Sequence, residues 1–448
     1  MDATLIPQFG GFLWTVLAFV AALSIIVAIH EYGHYIVGRW CGIKADVFSI
    51  GFGPILWSRD DRHGTRWQVA ALPLGGYVKF RGDGNAASVG EDNEATAKMT
   101  AEELSQTMTG ASLWRRSATV AAGPAFNFIL SILIFGAFAL FLGRAADAPV
   151  IGELRPLPET VVTLQPGDEV VSVAGTDVSD LAEIAEVAED VPPAPTIRYE
   201  VIRDGETVRV DAAFPLPARA DSVMPRGAAW DIGMRPDDVI LAVDDAPIYS
   251  FRELREIVEA TEGRPLVLDV WRPGPEGGEE LTFTLTPRAQ DLPRSEGGFE
   301  RRWIIGINGG LFFEPATEET GLFGALAHGV DRTFYIIQSS LSALGHIVTG
   351  AISTCNLSGP VGIAKTAGAV ASTGILDFVS FIAVLSAAVG MLNLFPIPVL
   401  DGGHLVFHAY EAVRGRPPSD EWVRALMVVG VALMLTLMVF ATWNDFVC

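Results

Sequence analysis

Hydrophobic positions in this chain gather into long unbroken blocks at four places and into short alternations elsewhere. The blocks run from Gly11 to Ile29, Ser117 to Gly143, Phe378 to Leu400 and Ala425 to Trp443. Each is free of charged residues and rich in Leu, Ile, Val, Ala and Phe. A helix needs roughly 20 such residues to cross about 30 Å of hydrocarbon, so each block predicts a transmembrane helix. The first is expected to be retained rather than cleaved, because "MDATLIPQFG" carries an acid and no base, and no small-residue cleavage site precedes His30.

Between the second and third blocks the pattern changes. "LQPGDEVVSVAG" (Leu164 to Gly175) returns seventy positions later as "MRPDDVILAVDD" (Met234 to Asp245), pairing Asp168 with Asp238 and Val173 with Val243. Turn residues followed by alternating apolar positions predict a turn into a half-buried strand. Each copy continues into a helical stretch, "DLAEIAEVAE" or "SFRELREIVEA", and then into strands around the Asp204-Gly205 or Gly277-Gly278 turn. Two β-rich modules are expected, over 144–222 and 223–318.

Residues 40–116 read differently again. "VFSIGFGPILWSR" and "RWQVAALPLGGYVKFRG" are punctuated by Gly51, Gly53, Pro73, Gly75 and Gly76, too broken for a spanning helix. They predict β-hairpins or re-entrant loops, tolerated at membrane depth only when buried in protein or lining a wet cavity. "LFGALAHGVDRTFYIIQSSLSALGHIV", within 319–376, predicts an amphipathic helix lying on the outer membrane surface, with His328 and His346 at the interface.

Basic flanks orient the spans. Arg39 and Lys44 follow the first block, Lys98, Arg115 and Arg116 precede the second, and Arg414, Arg416 and Arg424 lie between the third and fourth. The opposite flanks are poorer, with Arg144, Arg155 and Lys365. Both termini and the modules are therefore expected outside the cytoplasm. The expected organisation is a first transmembrane helix over 1–39, hairpins over 40–116, a second helix over 117–143, the two modules, the amphipathic helix and linker, a third helix over 377–401, a cytoplasmic loop over 402–424 and a fourth helix over 425–448.

A net charge of −22 argues against nucleic acid as a partner. Cys41, Cys355 and Cys448 are far apart and form no C-x-x-C pair, so no disulfide framework or structural zinc site is expected.

The chemistry sits in "IIVAIHEYGHYIVGR", residues 25–39. Ionisable groups next to a membrane span cost several kcal/mol unless partnered, which makes them functional candidates. On a helix His30 and His34 share one face and can address one metal ion, with Glu31 beside them. Zinc suits neutral imidazole and acidifies a water for attack, while a glutamate can take and return the proton. Catalytic zinc usually has a third protein ligand. Asp401, at the end of the third block, falls at the same cytoplasmic-side depth because the first and third spans run in the same direction. His404, three residues further on, could reach the same metal.

H-E-x-x-H in the first block together with N-x-x-P-x-P-x-L-D-G in the third resembles the site-2 protease family of intramembrane zinc metalloproteases. The GFG segment, "AGPAFN" (Ala122 to Asn127) and the tandem modules extend the resemblance to bacterial regulator-of-sigma-E proteases over essentially the whole chain. The L-x-P-G-D-x-V-x-x-V-x-G core resembles a bacterial PDZ domain, although Asp237 and Asp245 replace glycines in the second copy and neither copy has a clean Gly-Leu-Gly-Phe loop.

The resemblance implies a polytopic α-helical membrane protein with four transmembrane helices, membrane-associated β-hairpins and two tandem PDZ domains. It implies Zn2+ held by His30, His34 and Asp401, with Glu31 as general base and acid. Asn393, Pro396, Pro398 and Asn127 fall on its substrate-contacting segments. Gly51, Phe52, Gly53, Gly75, Gly76 and Tyr77 are expected to hold an unwound substrate by strand addition. The implied substrates are single-pass membrane proteins in the bacterial inner membrane: an anti-sigma factor first trimmed by an upstream protease, as part of a stress response, or remnant signal peptides. A membrane-tethered adaptor and an anchored protease of soluble proteins are the alternatives; the position of H-E-x-x-H in a span argues against the second.

Overall fold

The computed structural model describes residues 5–84, 99–146, 148–158, 163–224, 227–274, 277–293, 299–351 and 353–447. The chain divides into two compact units: Met1–Phe138 with Leu322–Val348 and Thr354–Cys448, and Ala139–Gly321 with Thr349–Ser353.

In chain order the first unit contains α1 (Leu5–Trp40), β1 (Ala45–Asp60), β2 (Arg66–Phe80), α2 (Leu113–Phe141), α3 (Leu322–Val348), α4 (Pro360–Thr373), α5 (Ile375–Asn393), α6 (Asp401–Arg414) and α7 (Asp420–Val447). Four of these, α1 from Gly11, α2, α5 and α7 from Glu421, are long and apolar enough to cross a membrane.

Lipid offers no hydrophobic drive for helices to associate, so small residues that allow close approach matter most. A Cβ at Gly33 of α1 would collide with the Ala122 carbonyl oxygen of α2 and come within 3.0 Å of Phe126 Cβ. One at Gly390 of α5 would stand 3.1 Å from both Asn127 Cβ and the Pro124 carbonyl oxygen. Ala22 and Ile26 of α1 and Ile382 of α5 fill the contact, with Leu130 and Ile134 of α2 packed against them.

The expected third helix over 377–401 is shorter in the structure. α5 ends at Asn393, a loop follows, and Asp401 opens the new helix α6. Pro396 and Pro398 have no N–H to continue a helical ladder. Gly402 and Gly403 then pack directly on the carbonyls of Leu394, Phe395 and Ile397.

β1 and β2 pair antiparallel across a short turn, as a hairpin bent back on itself. Ser49 pairs with Tyr77 on one side and Gln68 on the other, and the outer part of β1 pairs back along β2, as in Trp57 with Val69. Ile55, Leu56 and Trp57 are exposed along that outer part. The turn between the strands is tied to α1: Tyr35 Oη donates to Asp61 Oδ2 at 2.8 Å, and Trp67 Nε1 donates to the same oxygen at 3.2 Å. Burial works to raise the Asp61 pKa, but hydrogen bonds from Thr65, Tyr35, Trp67 and His63 outweigh it and hold it at about 2.

α3 forms where an amphipathic helix is expected, but its small-residue face is seated on a neighbouring helix. Ala325, Gly329 and Thr333, four apart, are buried. A Cβ at Gly329 would collide with the Ile132 carbonyl oxygen of α2, and Thr333 Oγ1 donates to Ser131 Oγ at 3.1 Å.

The cysteine expectation also needs correction. Cys41 is free, whereas Cys355 is disulfide-bonded, to a partner outside the described residues. Separation in sequence hid how the chain folds back. Asn444 of α7 donates to the Thr354 carbonyl at 2.8 Å, and the Asp445 carboxylate accepts from the Gly359 and Gly362 amides at 3.0 and 2.9 Å. Asp445 thereby caps α4, whose own N-cap glycine provides no side chain.

The second unit contains the repeat as two sheets of the same strand order. One runs Thr176–Asp177, Glu169–Val173, Ile197–Arg203, Glu206–Ala212; the other runs Ala246–Pro247, Val239–Val243, Leu266–Arg272, Glu279–Leu285. Leu181–Asp190 and Phe251–Ala260 each supply one helix, burying Ile184 and Ala188 or Leu254 and Val258.

The repeated aspartates are structural. Asp168 and Asp238 are buried, accept the backbone N–H three residues before them, and pair with Arg203 and Arg272 at 2.6 and 2.7 Å. Asp237 adopts φ +68° where the first copy has Gly167 at +93°. The hairpin Arg288–Pro293 with Phe299–Ile304, not expected from the repeat, follows the second sheet.

Candidate metal centre and active site

α1 carries His30 and His34 one turn apart, on the side where α2 approaches. The approach depends on Gly123 of α2: a Cβ there would collide with His34 Nε2 and stand 2.5 Å from His34 Cε1 and 2.9 Å from His30 Cε1. The loop after α5 and the start of α6 bring Asp401 to the same point. His30 Nε2 lies 3.2 Å from His34 Nε2 and 3.2 Å from Asp401 Oδ2, and His34 Nε2 lies 3.4 Å from Asp401 Oδ1. Among the described residues these three form the group able to hold a metal ion.

The donor set fits zinc. Tetrahedral bonds of about 2.0–2.1 Å place ligand atoms about 3.3 Å apart, close to the separations here. Asp401 Oδ2 is buried without a hydrogen-bond partner, which is costly for a carboxylate oxygen that has no cation beside it. Burial works against ionisation of Asp401, but His34 and His30 hold its pKa well below the usual carboxylate range. Both outer ring nitrogens are engaged: His34 Nδ1 is 2.9 Å from the Thr119 carbonyl oxygen and His30 Nδ1 is 3.2 Å from Asn127 Nδ2.

A cavity of about 340 Å3 opens beside this group, and Glu31 lines it with His30, His34 and Asp401. The Val78 backbone N–H reaches the Glu31 carboxylate, so the β2 edge runs past the proposed base. Gly76 backs the contact, since a Cβ there would stand 3.2 Å from Glu31 Cγ.

Of the residues expected at substrate, Gly76, Tyr77 and Asn393 line the cavity. Asn393 spends one amide hydrogen on the Val389 carbonyl of its own helix. Phe52 stacks on Tyr77 with ring centres 5.9 Å apart, and a Cβ at Gly75 would stand 2.5 Å from the Phe52 ring. Gly51, at φ +90°, sits against the Ala70 and Leu72 carbonyls, and Gly53 adjoins Leu72. Pro396 and Pro398 shape the loop under α6 and are not among the cavity-lining residues. Asn127, expected at substrate, is fully buried with its amide on His30.

His404 lines the cavity but stands outside the three-atom group. Burial lowers its pKa, against the charge of Asp401. His408, four residues on, also lines the cavity, and its Nδ1 lies 3.1 Å from Ser117 Oγ. Burial, helped by the Arg116 charge, lowers its pKa to about 4. Sequence reasoning missed Gly123, Thr119 and His408. Gly123 stood inside the "AGPAFN" motif, but nothing in that motif shows that the glycine faces two histidines.

The sequence model of peptidase family M50 matches residues 18–437. A protein of Agrobacterium fabrum named "Putative zinc metalloprotease" is 36% identical, covering 99% of this chain and 98% of its own. The regulator of sigma-E protease of Salmonella typhimurium is 32% identical, covering 97% and 98%. That of Escherichia coli is 31% identical, covering 97% and 99%.

Proposed function

We propose, from the premise that this chain belongs to peptidase family M50 and is a zinc metalloprotease of the site-2 type, that it cuts transmembrane segments of single-pass proteins in a bacterial inner membrane. The observation that carries the reading is the convergence of His30, His34 and Asp401 beside Glu31, with both histidines and the glutamate inside a helix apolar enough to span a bilayer. His30, His34 and Asp401 would hold the metal. Zinc, when bound there, supplies an electrophile for the scissile carbonyl and acidifies a water.

The remaining work belongs to the chain. Glu31 accepts the proton of the attacking water and returns it to the leaving amine. A helical substrate hides its amides in internal hydrogen bonds and must be unwound, with substitute partners supplied. The β2 edge at Gly76–Val78 offers backbone donors and acceptors beside Glu31, and Asn393, which lines the same cavity, offers its remaining amide groups. Strand addition at that edge would lay the substrate carbonyl against the metal group.

The two repeated modules are read as PDZ domains outside the cytoplasm. The sigma-E regulators named above support an anti-sigma factor as substrate, cut after an upstream protease has trimmed its outer domain. Remnant signal peptides share the same chemistry. The test uses the full chain in detergent with a single-pass substrate. Cleavage within the substrate span, stopped by a chelator and absent in Glu31→Gln, is expected. Cleavage outside the span, or activity in Glu31→Gln, would overturn the reading.

A further inference from the structure

We infer that Asn127 is the positioning residue for His30, its amide oxygen facing Nδ1 when the metal is held so that Nε2 is free to ligate. The inference rests on the ligand assignment proposed above.

An imidazole that gives Nε2 to a cation carries its proton on Nδ1, and that N–H needs an acceptor. His34 meets the need with backbone: the Thr119 carbonyl, 2.9 Å from its Nδ1, can only accept. Its tautomer is therefore fixed. His30 faces an amide instead, and an amide has two ends of nearly the same shape. With Nδ2 inward, at 3.2 Å, Nδ1 accepts and Nε2 must carry the hydrogen. That hydrogen then occupies the space between Nε2 and its neighbours Asp401 Oδ2 and His34 Nε2, each 3.2 Å away, where the cation would sit.

With the amide turned over, Oδ1 accepts from Nδ1–H and Nε2 presents a lone pair. In the nitrogen-inward arrangement Asn127 Oδ1 is buried without a partner. The choice between the two orientations is therefore the choice between a ring that excludes the metal and one that binds it.

The backbone of Asn127 is clamped, so the side chain is free only to rotate in place. Its carbonyl accepts from Ser386 Oγ of α5 at 2.9 Å, with Asn127 and Ser386 both fully buried. Gly390, one turn along α5, leaves the room that the Asn127 side chain occupies. The clamp comes from the helix that leads into the Asp401 loop, so the residue orienting one ligand is held by the element delivering another.

The experiment measures zinc and cobalt(II) affinity of the full chain in detergent. Asn127→Leu should lose about 10–100-fold in affinity, the usual cost of removing a partner behind a metal ligand. Asn127→Asp offers an oxygen in either orientation and should stay within a few-fold of wild type, with an unchanged cobalt absorption spectrum. Where Asn127→Leu does not fold, the smaller Asn127→Ala gives the same comparison. His30→Ala separates the two levels: full metal there would refute the ligand assignment itself. If His30→Ala loses metal but Asn127→Leu binds as tightly as wild type, or Asn127→Asp falls as far as Asn127→Leu, the positioning role is wrong.

Discussion

Gly123 sets the tightest tolerance around the imidazoles, because any side chain there meets the His34 ring. Gly123→Ala is expected to lower zinc affinity by more than about tenfold while α2 still forms, since alanine favours a helix over glycine. Equilibrium dialysis against zinc, beside circular dichroism, checks both halves. Arg219 is fully buried and pairs with Asp221 and Asp237 at 2.6 Å while donating to the Leu311 carbonyl at 2.9 Å. Arg219→Ala would leave acceptors unpaired and cost about 3 kcal/mol, the low end for a broken buried pair because both aspartates retain some solvent. Hydrogen exchange should show the loss in Val239–Val243 and spare the first sheet. Uniform protection in the variant would refute it.

At the scale of elements, the β1–β2 sheet and the loop after α5 carry the substrate reading. Proline placed in the Gly75–Phe80 stretch of β2 should slow cleavage without releasing zinc; unchanged turnover at every position there would count against strand addition. The sheet turn has its own pH signature. The Asp61 pKa is depressed in the folded chain, so its stabilising contribution is present above the ordinary aspartate value near 4. It is lost as pH falls through about 2. Asp61→Asn should show a smaller acid-induced loosening of this turn by hydrogen exchange.

Much of the element plan was legible because four apolar blocks and a seventy-residue repeat carry periodic signals. His30, Glu31 and His34 were legible from helical spacing, and Asp401 from its motif and the shared direction of its span. The break at Asn393 was masked by unbroken apolarity, although Pro396 and Pro398 announced it. Arg203 and Arg272, the partners of the repeated aspartates, were not legible, since nothing in a strand pattern marks which arginine folds back onto a turn 34 or 35 residues earlier. The cap of α4 by Asp445 lies 86 positions away for Gly359 and belongs to the same class of long-range contact.

At the scale of the whole molecule, the repeated unit interrupts the chain between α2 and α3 and is joined to the helical unit at both ends. If its two modules exclude bulky outer domains, deleting residues 160–315 should let the enzyme cut untrimmed substrate. If they recruit peptide, the deletion should instead weaken cutting of trimmed substrate. The missing Gly-Leu-Gly-Phe loops favour exclusion. A deletion variant that still refuses untrimmed substrate while cutting trimmed substrate would end the filter idea.

If His30, His34 and Asp401 hold one zinc on which Glu31 acts without being a ligand, metal content and turnover must separate between variants. Zinc content and cleavage are to be measured on the same preparations of wild type, Glu31→Gln, Asp401→Ala and His404→Ala. Near-stoichiometric zinc without turnover is expected in Glu31→Gln, loss of zinc in Asp401→Ala, and retained zinc in His404→Ala. Near-stoichiometric zinc in Asp401→Ala with loss in His404→Ala would contradict that assignment and move the third ligand to His404.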